Sequence, residues 1–192
     1  MLSEIFNNPL VFSIFRIFVH NSFKGRLKFL KHLNLTGKER VIDICCGTGY
    51  FSQHLPKNYT GVDNNKYFIN YAKNKYKKNF ILHDATNLRQ FKDKSFDIAF
   101  VIDCLHHFPD ELAEKIISEG CRLAKKLVII DMIQQSNLNI IGKALEKLDR
   151  GKYVRTADAE KLLASKFADI KESSIFSSGV YREIAFVCEP KP

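Results

Sequence analysis

The stretch Val41-Ile-Asp-Ile-Cys-Cys-Gly-Thr-Gly49 decides how this chain folds. Its first half is apolar and β-branched apart from Asp43, which reads as a buried strand. Gly47 and Gly49 then allow a tight turn in which the backbone can approach a ligand closely. A helix is expected after Thr48, and its unsatisfied N–H groups and positive end would suit a carboxylate or phosphate. A strand leading through a glycine turn into a helix is the context in which a short glycine motif carries weight.

Further along, short β-branched runs alternate with helical patterns, which predicts an α/β chain whose mostly parallel sheet is covered by helices on both faces. Seven strands are expected, at 40–45, 59–63, 79–83, 96–102, 127–131, 167–175 and 182–188. Helices should start at Asn64–Asn65, at Pro109 and at Thr156, where Asn, Pro and Thr give capping or first-turn signals. Only the Ser-Ser-Gly turn at Gly179 separates the last two strands, so the final strand should return antiparallel. The expected fold is one Rossmann-like domain over 40–192 with an N-terminal helical extension over 1–39.

With 192 residues, 45% apolar and 27% charged, the chain fits one globular domain. Five cysteines without a C-x-x-C pair read as free buried thiols of a reducing compartment, and a cytoplasmic location is expected. The apolar stretch from Leu10 to Val19 is too short to span a bilayer and contains Arg16. A formal charge of +9 favours an anionic contact such as nucleic acid, phospholipid or a phosphorylated metabolite. From Pro9 to Leu33, apolar residues at helical spacing with basic residues between them predict one or two amphipathic helices. These should pack over the substrate cleft, with peripheral membrane contact as the alternative.

The glycine turn does not name its ligand. A dinucleotide reader needs G-x-G-x-x-G, and the frame from Gly47 places Ser52 where the third glycine belongs, which moves NAD to second choice. Asp63 ends Gly61-Val-Asp63 about 20 positions past the first strand, where a carboxylate bridges ribose hydroxyls. Asp84 in His83-Asp84-Ala85 can accept from an exocyclic adenine amine. Together Asp63 and Asp84 point to an adenosine.

In order and spacing, these motifs resemble the class I S-adenosylmethionine-dependent methyltransferase family from about Arg40 onward. Phe96-Asp-Ile-Ala-Phe-Val-Ile-Asp103, Leu105-His-His-Phe-Pro-Asp110 and Cys121-Arg-Leu-Ala-Lys-Lys-Leu-Val-Ile-Ile-Asp131 complete the series. The resemblance implies S-adenosyl-L-methionine as cofactor, with its methionine end at Gly47 and Gly49 and its ammonium near Asp43. It further implies ribose at Asp63 beside Asn64, adenine at Asp84 and Ala85, and the backbone of Asp103 facing the methionine moiety. Cys45 stands where the family usually has glycine.

A sulfonium already activates its methyl group, so the protein must chiefly align a nucleophile and exclude water. His106 and His107 follow the fourth strand and are the candidate general bases, His107 being preferred. Asp103 and Asp131 could hold a divalent ion, but no adjacent acid or Asn completes the set, and no metal is expected. The segment 134–155 should cover the acceptor, with Arg150, Tyr153 and Arg155 reading an acidic group on it. A small molecule or lipid methylated on O or N is the expected acceptor. RNA is the alternative and a non-catalytic adenosyl-binding module a more distant one.

Overall fold

The computed structural model describes residues 8–136, 139–140, 142–143 and 151–192. Its strands are β1 (Val41–Ile44), β2 (Tyr59–Asp63), β3 (Asn79–Leu82), β4 (Phe96–Ile102), β5 (Ala124–Met132), β6 (Ala168–Ser178) and β7 (Tyr181–Pro190). They form one sheet in the order β3-β2-β1-β4-β5-β7-β6. β1 to β5 pair in parallel, while β7 runs antiparallel to both β5 and β6, as the Gly179 turn predicts. The strand order reverses between β1 and β4, so their carboxyl ends flank the crevice in which open α/β sheets bind ligands.

Alternation along the buried strands assigns their two faces to two cores. Ile42, Ile44, Ala99, Val101, Leu127 and Ile129 pack against α4 (Asp110–Leu123) and α5 (Ala157–Ser165). Val41, Ile98, Phe100, Val128 and Ile130 face α2 (Lys24–His32) and α3 (Lys66–Tyr76). The side chains of Asn65 and Thr156 cap α3 and α5, and Pro109 precedes α4.

One expected element is different. The segment after the glycine turn is a five-residue 3-10 helix, Tyr50–His54, rather than an α-helix. Leu55 precedes Pro56 and is held extended (φ −109°, ψ 161°), which stops the helix. Such a short element has little macrodipole, so the loop itself must do the work assigned to a helix N-terminus. β5 also begins three residues before its expected start, because α4 ends at Leu123 and the strand follows without a connecting loop.

Ahead of the sheet lie α1 (Pro9–Val19) and α2, joined through Asn21-Ser-Phe23, all three in the left-handed region. Asn8 Oδ1 caps α1 by accepting the N–H groups of Leu10 and Val11. The C-terminal hairpin reaches back to this segment: the Val180 N–H donates to the Val19 carbonyl at 3.3 Å, and Ser178 Oγ donates to that of His20 at 3.4 Å. Gly179 has φ +62°, and a Cβ there would collide with the Val19 carbonyl. Glycine is required both by this conformation and by the close approach.

Candidate functional site

A cavity of about 630 Å³ opens at the carboxyl ends of β1, β2 and β4 and is closed above by α1. From below it receives Asp43, Cys45, Gly47, Asp63, Asn64, Asp84, Ala85, Asp103, His106 and His107; from above, Phe12, Ser13, Phe15 and Arg16. Ten of the fourteen residues singled out in the sequence therefore meet in one chamber. Gly49 lies behind the loop, where a Cβ would press on Phe80 and Ala72. Tyr153 and Arg155 are not among the lining residues, and Arg150 falls outside the described residues.

The loop is organised by Asp63. Its Oδ2 accepts the Gly47 N–H at 2.8 Å and its Oδ1 accepts the Asn65 N–H at 2.8 Å. Burial nevertheless pushes this carboxyl above its ordinary value, the two N–H donors opposing the rise. Gly47 has φ +55° and nothing within 4 Å of where a Cβ would project, leaving open space beside the backbone. Cys45 adopts φ +63°, a conformation suited to the glycine usual at this position.

Asp43 is fully buried at the chamber floor, where Oδ2 accepts the Tyr59 hydroxyl at 2.7 Å. Desolvation lifts its carboxyl to about 7, against the Tyr59 bond and aided by the nearby Asp63 charge. Asp84 sits exposed at the rim and accepts both the N–H and the hydroxyl of Thr86, bonds that hold it below its usual value. An acidic wall thus runs from floor to rim, suited to an adenosine carrying a cationic tail.

Beside this wall, His106 Nδ1 lies 2.5 Å from Asp131 Oδ1 at the end of β5, and the His106 N–H donates to Asp131 Oδ2 at 3.1 Å. Both side chains are buried, whereas His107 is exposed. Burial raises the Asp131 carboxyl, but the His106 charge and hydrogen bond and the Met132 N–H prevail and leave it lowered. Asp103, His106 and Asp131 have ligating atoms within 4.8 Å of one another. Arg16 and Arg26 both pair with Asp103, so this trio is better suited to ion pairing than to a cation.

Arg26 is the largest feature that sequence reasoning missed. Fully buried, it donates from Nε to Glu183 Oε2 at 2.7 Å, and from Nη2 to Glu183 Oε1 and Asp103 Oδ1, each at 2.6 Å. It ties α2 to β7 and to the end of β4. The signal was present: Arg26 falls in phase with Phe23 and Leu30 on the buried stripe of α2, and Glu183 alternates with Tyr181 and Ala185 on the apolar face of β7. Arg155, expected to face the acceptor, instead serves structure, donating to Asp110, Glu160 and the carbonyls of Leu105 and Phe108. The Tyr153 N–H donates to the His106 carbonyl at 3.0 Å.

The glycine loop over an acidic wall, in a sheet with one reversed edge hairpin, is matched by a methyltransferase-domain profile over residues 42–130. A SAM-dependent methyltransferase of Thermotoga maritima superposes with a TM-score of 0.73, covering 95% of this chain and 97% of that one at 20% identity. Residues 42–130 match a methyltransferase domain, and the chain has the fold of class I S-adenosylmethionine-dependent methyltransferases. Among its curated relatives, the demethylmenaquinone methyltransferase of Leptospira interrogans is 33% identical over 95 residues, 43% of this chain and 38% of that protein. The ubiquinone biosynthesis O-methyltransferase of Hydrogenovibrio crunogenus is 22% identical over 78% of this chain and 70% of its own length. The chain spans about two-fifths of the length of the first of these relatives. Its chamber has the donor set an S-adenosylmethionine would need: open space at Gly47 and carboxylates at Asp43, Asp63 and Asp84.

Proposed function

We propose that this chain transfers a methyl group from S-adenosylmethionine to a ring hydroxyl of a small apolar aromatic acceptor of the quinol class, with His106 as the general base. The observation that carries this reading is the buried His106–Asp131 pair in the chamber wall. Asp131 holds Nδ1 and fixes the ring, and in this reading Nε2 takes the hydroxyl proton. When bound, the cofactor supplies a sulfonium-activated methyl group whose C–S bond breaks as the acceptor oxygen attacks.

In this reading Asp63 and Asn64 hold the ribose, Asp84 and Ala85 the adenine, and Asp43 with the Gly47 loop the methionine end. Phe12, Phe15, Phe23 and Phe108 supply flat apolar walls for an aromatic ring, and α1 excludes water. The names of the two quinone-pathway relatives support the same acceptor class.

Transfer of labelled methyl to catechol and to short-tailed hydroquinones provides the test. His106→Ala should lower kcat about 10²–10⁴-fold with little change in cofactor affinity, and His107→Ala should stay near wild type. Full activity of His106→Ala would remove the base assignment. Transfer to RNA but to no phenolic acceptor would overturn the acceptor class.

A further inference from the structure

α1 is apolar on both sides. Phe12, Ser13 and Arg16 point into the chamber, where Ser13 Oγ donates to Thr48 Oγ1 at 3.1 Å, Phe12 stacks on Phe68 at 4.8 Å and Arg16 pairs with Asp103. The opposite face carries Leu10, Ile14 and Phe18 at four-residue spacing, 54%, 58% and 84% exposed, with Val11 beside them. A helix covering a site should place polar residues toward water, and its only charged residue, Arg16, is turned inward. The outward apolar stripe therefore marks a partner.

Charge decides which partner. Between Glu4 and Glu39 the sequence contains no acidic residue, while Lys24, Lys28 and Lys31 on α2 are exposed. An apolar helical face followed in the chain by exposed lysines is complementary to a bilayer carrying anionic headgroups. We propose that α1 docks this protein on an anionic membrane surface, with Leu10, Ile14 and Phe18 entering the acyl boundary and Lys24, Lys28 and Lys31 meeting headgroups. The chamber would then open beside the lipid phase, so an apolar acceptor could enter without crossing water. The inference deepens the acceptor reading given above, but its test needs no turnover.

Vesicle flotation tests it, using phosphatidylcholine alone and with about one-third phosphatidylglycerol. The wild-type chain should float with the anionic vesicles and release in about 1 M salt, where the screening length falls to roughly 3 Å. Ile14→Glu combined with Phe18→Glu should reduce the bound fraction at least about tenfold, with thermal midpoint and cofactor affinity unchanged because neither side chain lines the chamber. If the glutamates impair folding, Ile14→Ser with Phe18→Ser replaces them. Failure of the wild-type chain to float, or equal flotation of the variants, would overturn the proposal. So would light scattering that shows a dimer converted to monomer by Phe18→Glu, since the face would then be an interface between two copies. Loss of flotation leaves methyl transfer to soluble catechol intact, so the two readings fail separately.

Discussion

At the scale of single residues, Asp63 has two duties that no one substitution can separate. Its carboxylate fixes the Gly47 and Asn65 N–H groups, and in the proposed complex it also holds the ribose. Asp63→Ala should therefore weaken cofactor binding by about 1.5–3 kcal/mol and also lower stability by about 1–2 kcal/mol, since two half-buried donors lose their acceptor. Titration calorimetry and urea unfolding of the same preparation measure the two losses. Asp43 predicts a pH effect. Burial holds its carboxyl at about 7, and a cationic ligand favours the ionised form. Affinity for S-adenosylmethionine should therefore rise with pH up to about 7, by at most roughly tenfold per pH unit, and level off above it. Asp43→Asn should flatten this dependence, and calorimetry between pH 5.5 and 8 reads it, the range being about one and a half units below the transition and one above.

At the scale of elements, the clasp of Arg26 with Glu183 and Asp103 decides whether the N-terminal helices stay on the sheet. Arg26→Ala leaves two carboxylates without their buried partner and should cost about 3–5 kcal/mol in urea unfolding. Arg40→Ala, which breaks the exposed pair with Asp97, should cost no more than about 1 kcal/mol. This contrast also explains what was legible beforehand. β-Branched runs and turn residues reveal strands because local burial patterns do not depend on distant partners, so all seven strands and the reversed last one could be read. The choice between the two candidate bases could not be read so directly: His106 and His107 are neighbours in sequence, and only the end of β5, 24 or more residues later, separates their environments. Arg26 and Glu183 lie 157 positions apart, so each looks like an isolated charge in an apolar pattern. The helix expected after Thr48 failed for a local reason, Pro56, whose constraint on Leu55 outweighs the glycine-turn context.

At the scale of the whole molecule, buried titratable groups pull stability in opposite directions as pH changes. His20, packed between Glu183 and Tyr181, is kept neutral mainly by desolvation and its value falls to about 3. The unfolded chain binds this proton at about 6.5 while the folded one does not, so His20 favours unfolding as pH falls from 6.5 toward 3. Asp43 and Glu160, both raised to about 7 by burial, take up protons in the folded state first and favour folding over the upper part of that range. The single histidine proton offsets only one of the two carboxyl protons, so these three groups together should make stability rise by up to about 1.4 kcal/mol per unit as pH falls from about 6 to 5. Removing one contributor should expose the others: His20→Gln should shift the slope of unfolding free energy against pH downward by up to about 1.4 kcal/mol per unit. Urea unfolding at pH 7, 6 and 5 gives that slope directly, pH 6 and 5 lying below the unfolded histidine value of 6.5.

The clasp also has a temporal consequence. α1 and α2 are made before the strand that anchors them, β7, whose Glu183 follows Arg26 by 157 positions. Throughout synthesis the aromatic inner face of α1 and its apolar outer face are therefore exposed together, before Glu183 and the Gly179 turn exist to receive them. The nascent chain should depend most on chaperone or bilayer protection during this interval, and truncation just before Tyr181 should leave a sheet whose cap cannot dock.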